Sequence, residues 1–491
     1  METREWQVAI VGTLDVENYG DLLFPLIAGA ELTKRLGRVK LHCFSYAART
    51  AGEWPFPVTS VTELPRLAAG LDGLVVGGGF LVRFDKQVAP GYGPPTPAIH
   101  HPTGYWLSPA LIALQHGIPL LWNTPGVSYG DLPAWGDPLL ELALSQSSYI
   151  AVRDEPSRAA LARFVSTECI DVVPDTVFGI GQLLADPPAS DFNRLREASG
   201  LTGPYIILQG VRGLESCCRF LKRHADRLRG YRFLALPVGP VNGDRTEFLD
   251  ADLPGLVRLP SWPQPLVFAE LIRQASAVIG PSFHLAITAL TAGVPVFTPA
   301  DLKIGKFPGL ADFTGIYPLP AEQDEPEEFL ARLGKRPASP QVGAVLDRLA
   351  VHWDRIAEAI RGGATAAPEA VGRFWQSLPG VLEENALRRD AAVAALEARS
   401  LAAALEARSL VAALEARSLA AGAVEDERSR TAATLEAERA GSSTRIAELT
   451  RLVALARTEI ATRDRRIAEL LRSTSWKVTA PFRFVGRLLG R

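Results

Sequence analysis

The sequence predicts an α/β protein: two similar α/β domains facing each other across a cleft, with a long helical extension behind them. Three observations predict it. Short apolar runs alternate with amphipathic stretches over residues 6–180. The same alternation resumes after the stretch 186–204, DPPASDFNRLREASGLTGP, which reads as a linker. From about residue 391 the pattern becomes purely helical and repetitive.

In the first domain, VAIVG (8–12) reads as a strand and PLIAGAELTKRLG (25–37) as an amphipathic helix closed by glycine. LHCFSY, GLVVGGG, PLLWNTPG and YIAVRD read as further buried strands. All but LHCFSY end in Gly or a charged residue, as parallel strands do at a functional edge. YIILQGVRG (205–213), YRFLALPVGP (231–240) and AVIGPSFH (277–284) are the strands of the second domain. The expected boundaries are 1–185 and 186–335 for the two α/β domains, 336–390 for a helical linker, 391–472 for a coiled coil and 473–491 for a basic amphipathic tail.

Within 391–472 the motif LEARSL recurs at 396, 405 and 414. Nine residues make two and a half helical turns, so successive leucine pairs swing to opposite faces. Further on, Ile446, Val453, Ile460 and Ile467 fall seven apart, with Leu449, Ala456 and Leu470 at the d positions. Heptads with β-branched first positions predict a parallel two-stranded coiled coil, hence a homodimer, with Arg463 weakening the seam. The tail carries Lys477, Arg483, Arg487 and Arg491 among Trp476, Phe482, Phe484, Leu488 and Leu489, with no acid. That composition suits an anionic membrane surface.

Composition excludes several classes. The net charge is −2, from 52 basic and 54 acidic residues, and gives no general pull toward nucleic acid. Cys43, Cys169, Cys217 and Cys218 make no C-x-x-C pair and no zinc spacing, which suits a reducing compartment. No apolar run approaches the roughly 18 residues that span a bilayer, and the N-terminus lacks a signal-peptide pattern. A cytoplasmic protein, peripheral at the inner membrane face, is expected. H-E-x-x-H, a Walker loop, G-x-S-x-G and G-x-G-x-x-G after the first strand are all missing.

The chemistry concentrates at strand ends, where parallel α/β proteins bind ligands. Ser282 and His284 follow a buried strand where a helix begins, and a histidine there can meet an anion and exchange a proton with it. Asn18, Gly20 and Asp21 form a tight turn after strand one. Gly77, Gly78 and Gly79 let backbone N–H groups approach a ligand. Arg153 and Arg212 end strands, and Lys303 and Lys306 follow His284 by about twenty residues. Singly, each reads as a cap, a turn or a salt bridge. Together they describe an anion-binding cleft with one proton-transfer group.

These residues resemble the polysaccharide pyruvyl transferases. The family's N-[YFI]-G-D loop is matched by Asn18-Tyr19-Gly20-Asp21, its glycine triplet by Gly77-Gly78-Gly79, and its R-D-x-x-S segment by Arg153-Asp154-Glu155-Pro156-Ser157. A P-D motif is matched by Pro174-Asp175. The S-F-H element with its G-x-P-V turn is matched by Ser282-Phe283-His284 and Gly293-Val294-Pro295-Val296, and a following lysine by Lys303. The resemblance covers roughly 8–310. It implies two Rossmann-like domains in a glycosyltransferase-B-like arrangement. It also implies transfer of the enolpyruvyl group of phosphoenolpyruvate to a sugar hydroxyl pair, giving a pyruvate ketal in cell-surface polysaccharide synthesis. His284 would be the acid, and Arg153, Arg212 and Lys303 would hold the donor. No cofactor beyond that donor is implied, and the acceptor is a glycan or lipid-linked sugar. The family commonly has Gly where this chain has Leu285, which is expected to narrow the site. The tail is similar to tails appended to bacterial cell-surface glycosyltransferases.

Two other readings compete. A nucleotide-sugar glycosyltransferase would need an acid on the helix after His284, and LAITALTAGVP has none. A non-catalytic scaffold of polysaccharide assembly would keep its role without His284.

Overall fold

The computed structural model describes residues 4–52, 54–83, 103–127, 136–184, 190–303, 305–363, 368–420 and 428–472. Two parallel sheets organise the first compact unit, which runs to Ser377. The first contains β1 (Trp6–Val11), β2 (Val39–Ser45), β3 (Val58–Ser60), β4 (Gly73–Val76) and β5 (Leu120–Trp122) in the order β3-β2-β1-β4-β5. A parallel pair, β6 (Ile150–Val152) and β7 (Ile170–Val172), adjoins it through a bridge from Leu121 to Tyr149. The second sheet contains β8 (Tyr205–Gln209), β9 (Arg232–Leu236), β10 (Leu256–Arg258), β11 (Ala277–Ile279), β12 (Val296–Thr298) and β13 (Ile316–Pro318), ordered β10-β9-β8-β11-β12-β13.

In both sheets the first strand lies inside, and the winding reverses beside it, at β1/β4 and at β8/β11. Each is a Rossmann-type order, and each reversal opens a crevice past the strand ends. The strands read as continuous apolar runs because helices cover both faces; β4, β8 and β11 are buried throughout. The two Rossmann-like lobes thus form the glycosyltransferase-B-like arrangement.

The lobes share one core. Helix Tyr19–Leu36 of the first lobe stacks Tyr19 on Phe268 of the second at 4.2 Å, and the Tyr19 hydroxyl bonds Thr288 Oγ1 at 2.9 Å. The same helix docks its first residue on the second lobe, Tyr19 N–H donating to Val238 O at 3.0 Å. Strand ends from both lobes are therefore held against one another.

Two expectations change here. The stretch 186–204 contains a helix, Ser190–Ala198, anchored by buried Phe192. Segment 336–390 is helical, but its first helix, Pro340–Gly362, is packed on the first lobe rather than acting as a connector. It buries Leu349, Trp353, Ile356 and Ile360. Arg35 donates to Asp354 at 2.7 Å, Arg355 pairs with Asp171, and buried His352 bridges Tyr149 and Asn123 at 3.0 Å each.

The second unit begins at Leu378, in helix Pro368–Ala420, and includes helix Arg428–Arg472. Arg389, early in the first, pairs with Asp464, late in the second, at 2.8 Å, so the two helices fold back on each other within one chain. Leu449, Val453, Ala456 and Ile460 of the heptad stripe are half-buried. Leu396, Leu401, Leu405, Leu410, Ile446, Leu452 and Leu455 remain exposed. The tail 473–491 lies outside the described residues.

Candidate active site

The crevices past β1/β4 and β8/β11 merge into one cavity of about 380 Å³. Loops after β1, β4, β8, β9 and β11 line it, with Lys306 from the loop after β12. The volume falls within the range of small-molecule sites, roughly 300–1,000 Å³.

His284 is the second residue of helix Phe283–Thr291. Ser282 caps that helix, its Oγ accepting the Leu285 N–H at 3.4 Å. The first-turn position brings the imidazole to the helix's positive end. Its Nε2 lies 3.5 Å from Asp175 Oδ2, and neither atom has another partner. Its Nδ1 lies over Gly20, where a Cβ would stand 1.7 Å away. Gly20 therefore serves to admit the imidazole, a different role from touching substrate. Phe24 closes the edge of the ring at 5.8 Å.

Asp175 follows β7 and caps the 3-10 helix Thr176–Leu183, its Oδ1 accepting the Val177 N–H at 3.0 Å. Burial pushes its carboxyl up. His284, Arg153 and the Val177 N–H outweigh that and hold it below the usual carboxylate range. Asp21 is the opposite case. Burial raises it against the pulls of Thr13, His284 and Lys306. Its Oδ2 accepts from Thr13 Oγ1 at 2.6 Å and Asn18 Nδ2 at 2.8 Å. Two carboxylates flank one imidazole with titrations driven apart, a pattern that marks acid–base sites.

The cations gather around two phenylalanines. Arg153 is buried between Phe80 at 5.8 Å and Phe283 at 5.6 Å, with Nε bonded to Asp154 at 3.2 Å and a buried NH2 that has no partner. Gly126 makes room for it, since a Cβ there would stand 2.3 Å from NH2. Two residues before Gly126, Thr124 holds φ 51, the left-handed region, as the non-glycine exception among the described residues. Lys306 lies over Phe283 at 5.6 Å. Burial pushes its ammonium down to about 8, the Arg153 charge adds to this, and Asp175 and Asp21 resist. A buried guanidinium nitrogen without a hydrogen-bond partner, near a desolvated lysine, can take an anion.

Other expected residues take other roles. Arg212 is exposed over Phe248 at 4.4 Å and does not line the cavity. Lys303 is exposed, its N–H on Asp301 Oδ1 at 2.8 Å; Lys306, one helical turn's worth of chain later, is the cavity lysine. A Cβ on Gly77 would meet Val11 O at 2.6 Å, and one on Gly78 would meet Phe24 at 2.2 Å. The triplet thus packs β4 against β1 and the first helix, and Gly78 alone of the three lines the cavity. Leu285 is buried in the core, so it does not narrow the site. Asn18, Asp21 and Ser282 line the cavity as expected. Sequence reasoning left out Asp175, Gln209 and Asp244. The Pro174-Asp175 pair was visible as a motif, whereas Gln209 and Asp244 carried no signal beyond lying past strand ends.

The fold and cavity define a two-lobed α/β protein whose ligand site is an acid–base cluster between facing strand ends. Residues 18–298, more than half of the chain, match the family described as Polysaccharide pyruvyl transferase, and the chain belongs to that family. No curated protein matches it. Among solved structures, the UDP-GlcNAc 2-epimerase of Methanocaldococcus jannaschii is 13% identical over 73% of this chain and 100% of that one, with a TM-score of 0.46. The UDP-N-acetylglucosamine 2-epimerase of Rickettsia bellii is 11% identical over 74% and 97%, also at 0.46. That of Neisseria meningitidis, bound to UDP-GlcNAc, is 11% identical over 77% and 100%, at 0.42.

Proposed function

We propose that this family member transfers the enolpyruvyl group of phosphoenolpyruvate to two hydroxyls of a sugar, forming a pyruvate ketal and releasing phosphate. The observation that carries the reading is His284, set against Asp175 at a cavity lined by Lys306, with Arg153 buried beside Phe283 and its NH2 without a hydrogen-bond partner. Phosphoenolpyruvate presents a carboxylate and a phosphate, and Arg153 and Lys306 supply two cations for them. His284, oriented by Asp175, protonates the methylene carbon as the first sugar hydroxyl adds to the neighbouring carbon. Asp21, fixed by Thr13 and Asn18, is placed to take that hydroxyl's proton. The C–O bond to phosphate then breaks, the second hydroxyl closes the ketal, and its proton leaves with the phosphate. Atoms and charge balance without a redox partner.

Phosphate release from phosphoenolpyruvate by purified protein should require a sugar acceptor. Turnover of a nucleotide sugar with none of phosphoenolpyruvate reverses the assignment to the competing transferase. Loss of turnover in His284→Gln with an unchanged unfolding midpoint separates an enzyme from a scaffold.

The setting we propose is the cytoplasmic face of a membrane, reached through the tail 473–491. Among the described residues no helix is long and apolar enough to cross a membrane. Deleting 473–491 should move the protein to the soluble fraction; an unchanged membrane fraction defeats the idea. The exposed leucines of the long helices support pairing with a second copy, checked by sedimentation of the full chain.

A further inference from the structure

The cavity is chemically divided. The cations that line it, Arg83 and Lys306, lie over Phe80 at 5.5 Å and over Phe283 at 5.6 Å, and buried Arg153 lies over Phe283 as well. The face formed by the loop after β9 carries an amide, a carboxylate and valines instead.

We propose that Asp244, Asn242 and Asn18 form a subsite for a neutral sugar ring, with Asp244 selecting the sugar by accepting a hydroxyl. The proposal rests on the pyruvyl-transfer reading of the same cavity and names the residues that hold the acceptor.

Asp244 Oδ2 is saturated. It accepts Gln209 Nε2 at 2.9 Å and the Val238 and Gly239 N–H groups at 3.0 Å each. These bonds fix the carboxylate through Oδ2, and Asp244, whose Oδ1 takes no part in them, lines the cavity. The two asparagine amides converge over Gly239, where a Cβ would lie 2.9 Å from Asn242 Nδ2 and 3.7 Å from Asn18 Oδ1. Asn18 Nδ2 is committed to the Asp21 carboxylate, so its oxygen is the atom turned to this face. One fixed carboxylate oxygen, one amide donor and one amide acceptor match hydroxyls, which both donate and accept. Val211, Val238 and Val241 line the same end and suit the C–H face of a sugar. A phosphate carries one to two negative charges at neutral pH and would be repelled by the Asp244 carboxylate. A three-carbon donor held by Arg153 and Lys306 leaves this end of the cavity open. Gln209 links the two ends, since its Oε1 accepts the N–H of Ser282, the cap of the His284 helix, at 2.9 Å.

The test is binding, so that it stands apart from turnover. Saturation-transfer NMR titrations would use methyl glycosides of glucose, galactose and mannose, with phosphoenolpyruvate as the second probe. We expect at least one glycoside to bind the full-length protein. Asp244→Asn turns an acceptor into a donor at the cavity, and Asn242→Ala removes an exposed amide outside the core. Each should weaken glycoside binding about tenfold or more, a hydrogen bond's worth, and leave phosphoenolpyruvate binding within twofold. Absence of glycoside binding to the unaltered protein overturns the proposal. So does full-strength binding by both variants, or loss of both probes in Asp244→Asn with neither lost in Asn242→Ala. Glycoside binding that responds to the variants, without any phosphoenolpyruvate binding, would sink the donor assignment and leave the subsite standing.

Discussion

Replacing Gly20 with alanine sets two effects against each other. Gly20 is the second residue of helix Tyr19–Leu36, and alanine is favoured over glycine in a helix by roughly 0.5–1 kcal/mol. Its Cβ, however, would stand 1.7 Å from His284 Nδ1, against roughly 3.5 Å for an unstrained contact. The imidazole must retreat by about 2 Å, with Phe24 at its edge and Asp175 beyond Nε2. An off-rotamer side chain costs about 0.5–1.5 kcal/mol, so the net stability change should be within about 1 kcal/mol of zero. Turnover is more sensitive, because a displacement of about 1 Å in a catalytic group costs about 100-fold. The decisive assay is a double-mutant cycle in urea unfolding followed by tryptophan fluorescence. With His284→Ala as background the clash disappears, and Gly20→Ala should stabilise by about 0.5–1 kcal/mol. In the unaltered background it should not. A coupling of about 1 kcal/mol or more supports the geometry; additivity within about 0.5 kcal/mol refutes it.

Asp175→Asn keeps the helix cap, since Asn caps as well as Asp, but removes the charge facing His284; turnover should fall about 100- to 10,000-fold with little change in the unfolding midpoint. Because the Asp175 carboxyl sits below its ordinary value, its stabilising contribution is present above about pH 4 and lost on acidification below it, which a pH series of midpoints would show. Lys306, pushed down to about 8, should lose its charge as pH rises past that value, so calorimetry should find phosphoenolpyruvate binding weakening above about pH 8, and Lys306→Arg should remove that limb. Between about 8 and 10.5 the unfolded chain holds a proton that the folded one has released, so stability rises with pH across that window. His352 is lowered by burial to about 3, so between 6.5 and about 3 the unfolded chain binds the extra proton and stability falls on acidification. By pH 5 the loss should be about 2 kcal/mol, and His352→Gln should abolish that dependence.

Much of the scaffold was legible from residue order. Buried parallel strands need unbroken apolar runs, and β1, β4, β8 and β11 stand out for that reason. His284 and Ser282 were legible too, because a capping serine after an apolar run fixes where a helix starts. Short edge strands such as β3, β10 and β13 were not, since three residues carry no periodicity.

Lys303 and Lys306 show where such reading stops. Both sit in the loop after β12, but only the packing of Phe283 and Phe307 decides which ammonium reaches the cavity. Asp175 was visible as half of a dipeptide, while its meaning comes from the imidazole brought to it from the other lobe. The glycine triplet misled for the same cause: its bare Cα positions admit Val11 O and Phe24, protein atoms that chain order cannot place. Residue order tells which segments become strands, which loops lie at their ends and which family the chain belongs to, because these follow from local hydrophobicity and ordered motifs. Which side chains in those loops converge is set by folding, because convergence depends on the facing of two sheets and on the volumes packed between them.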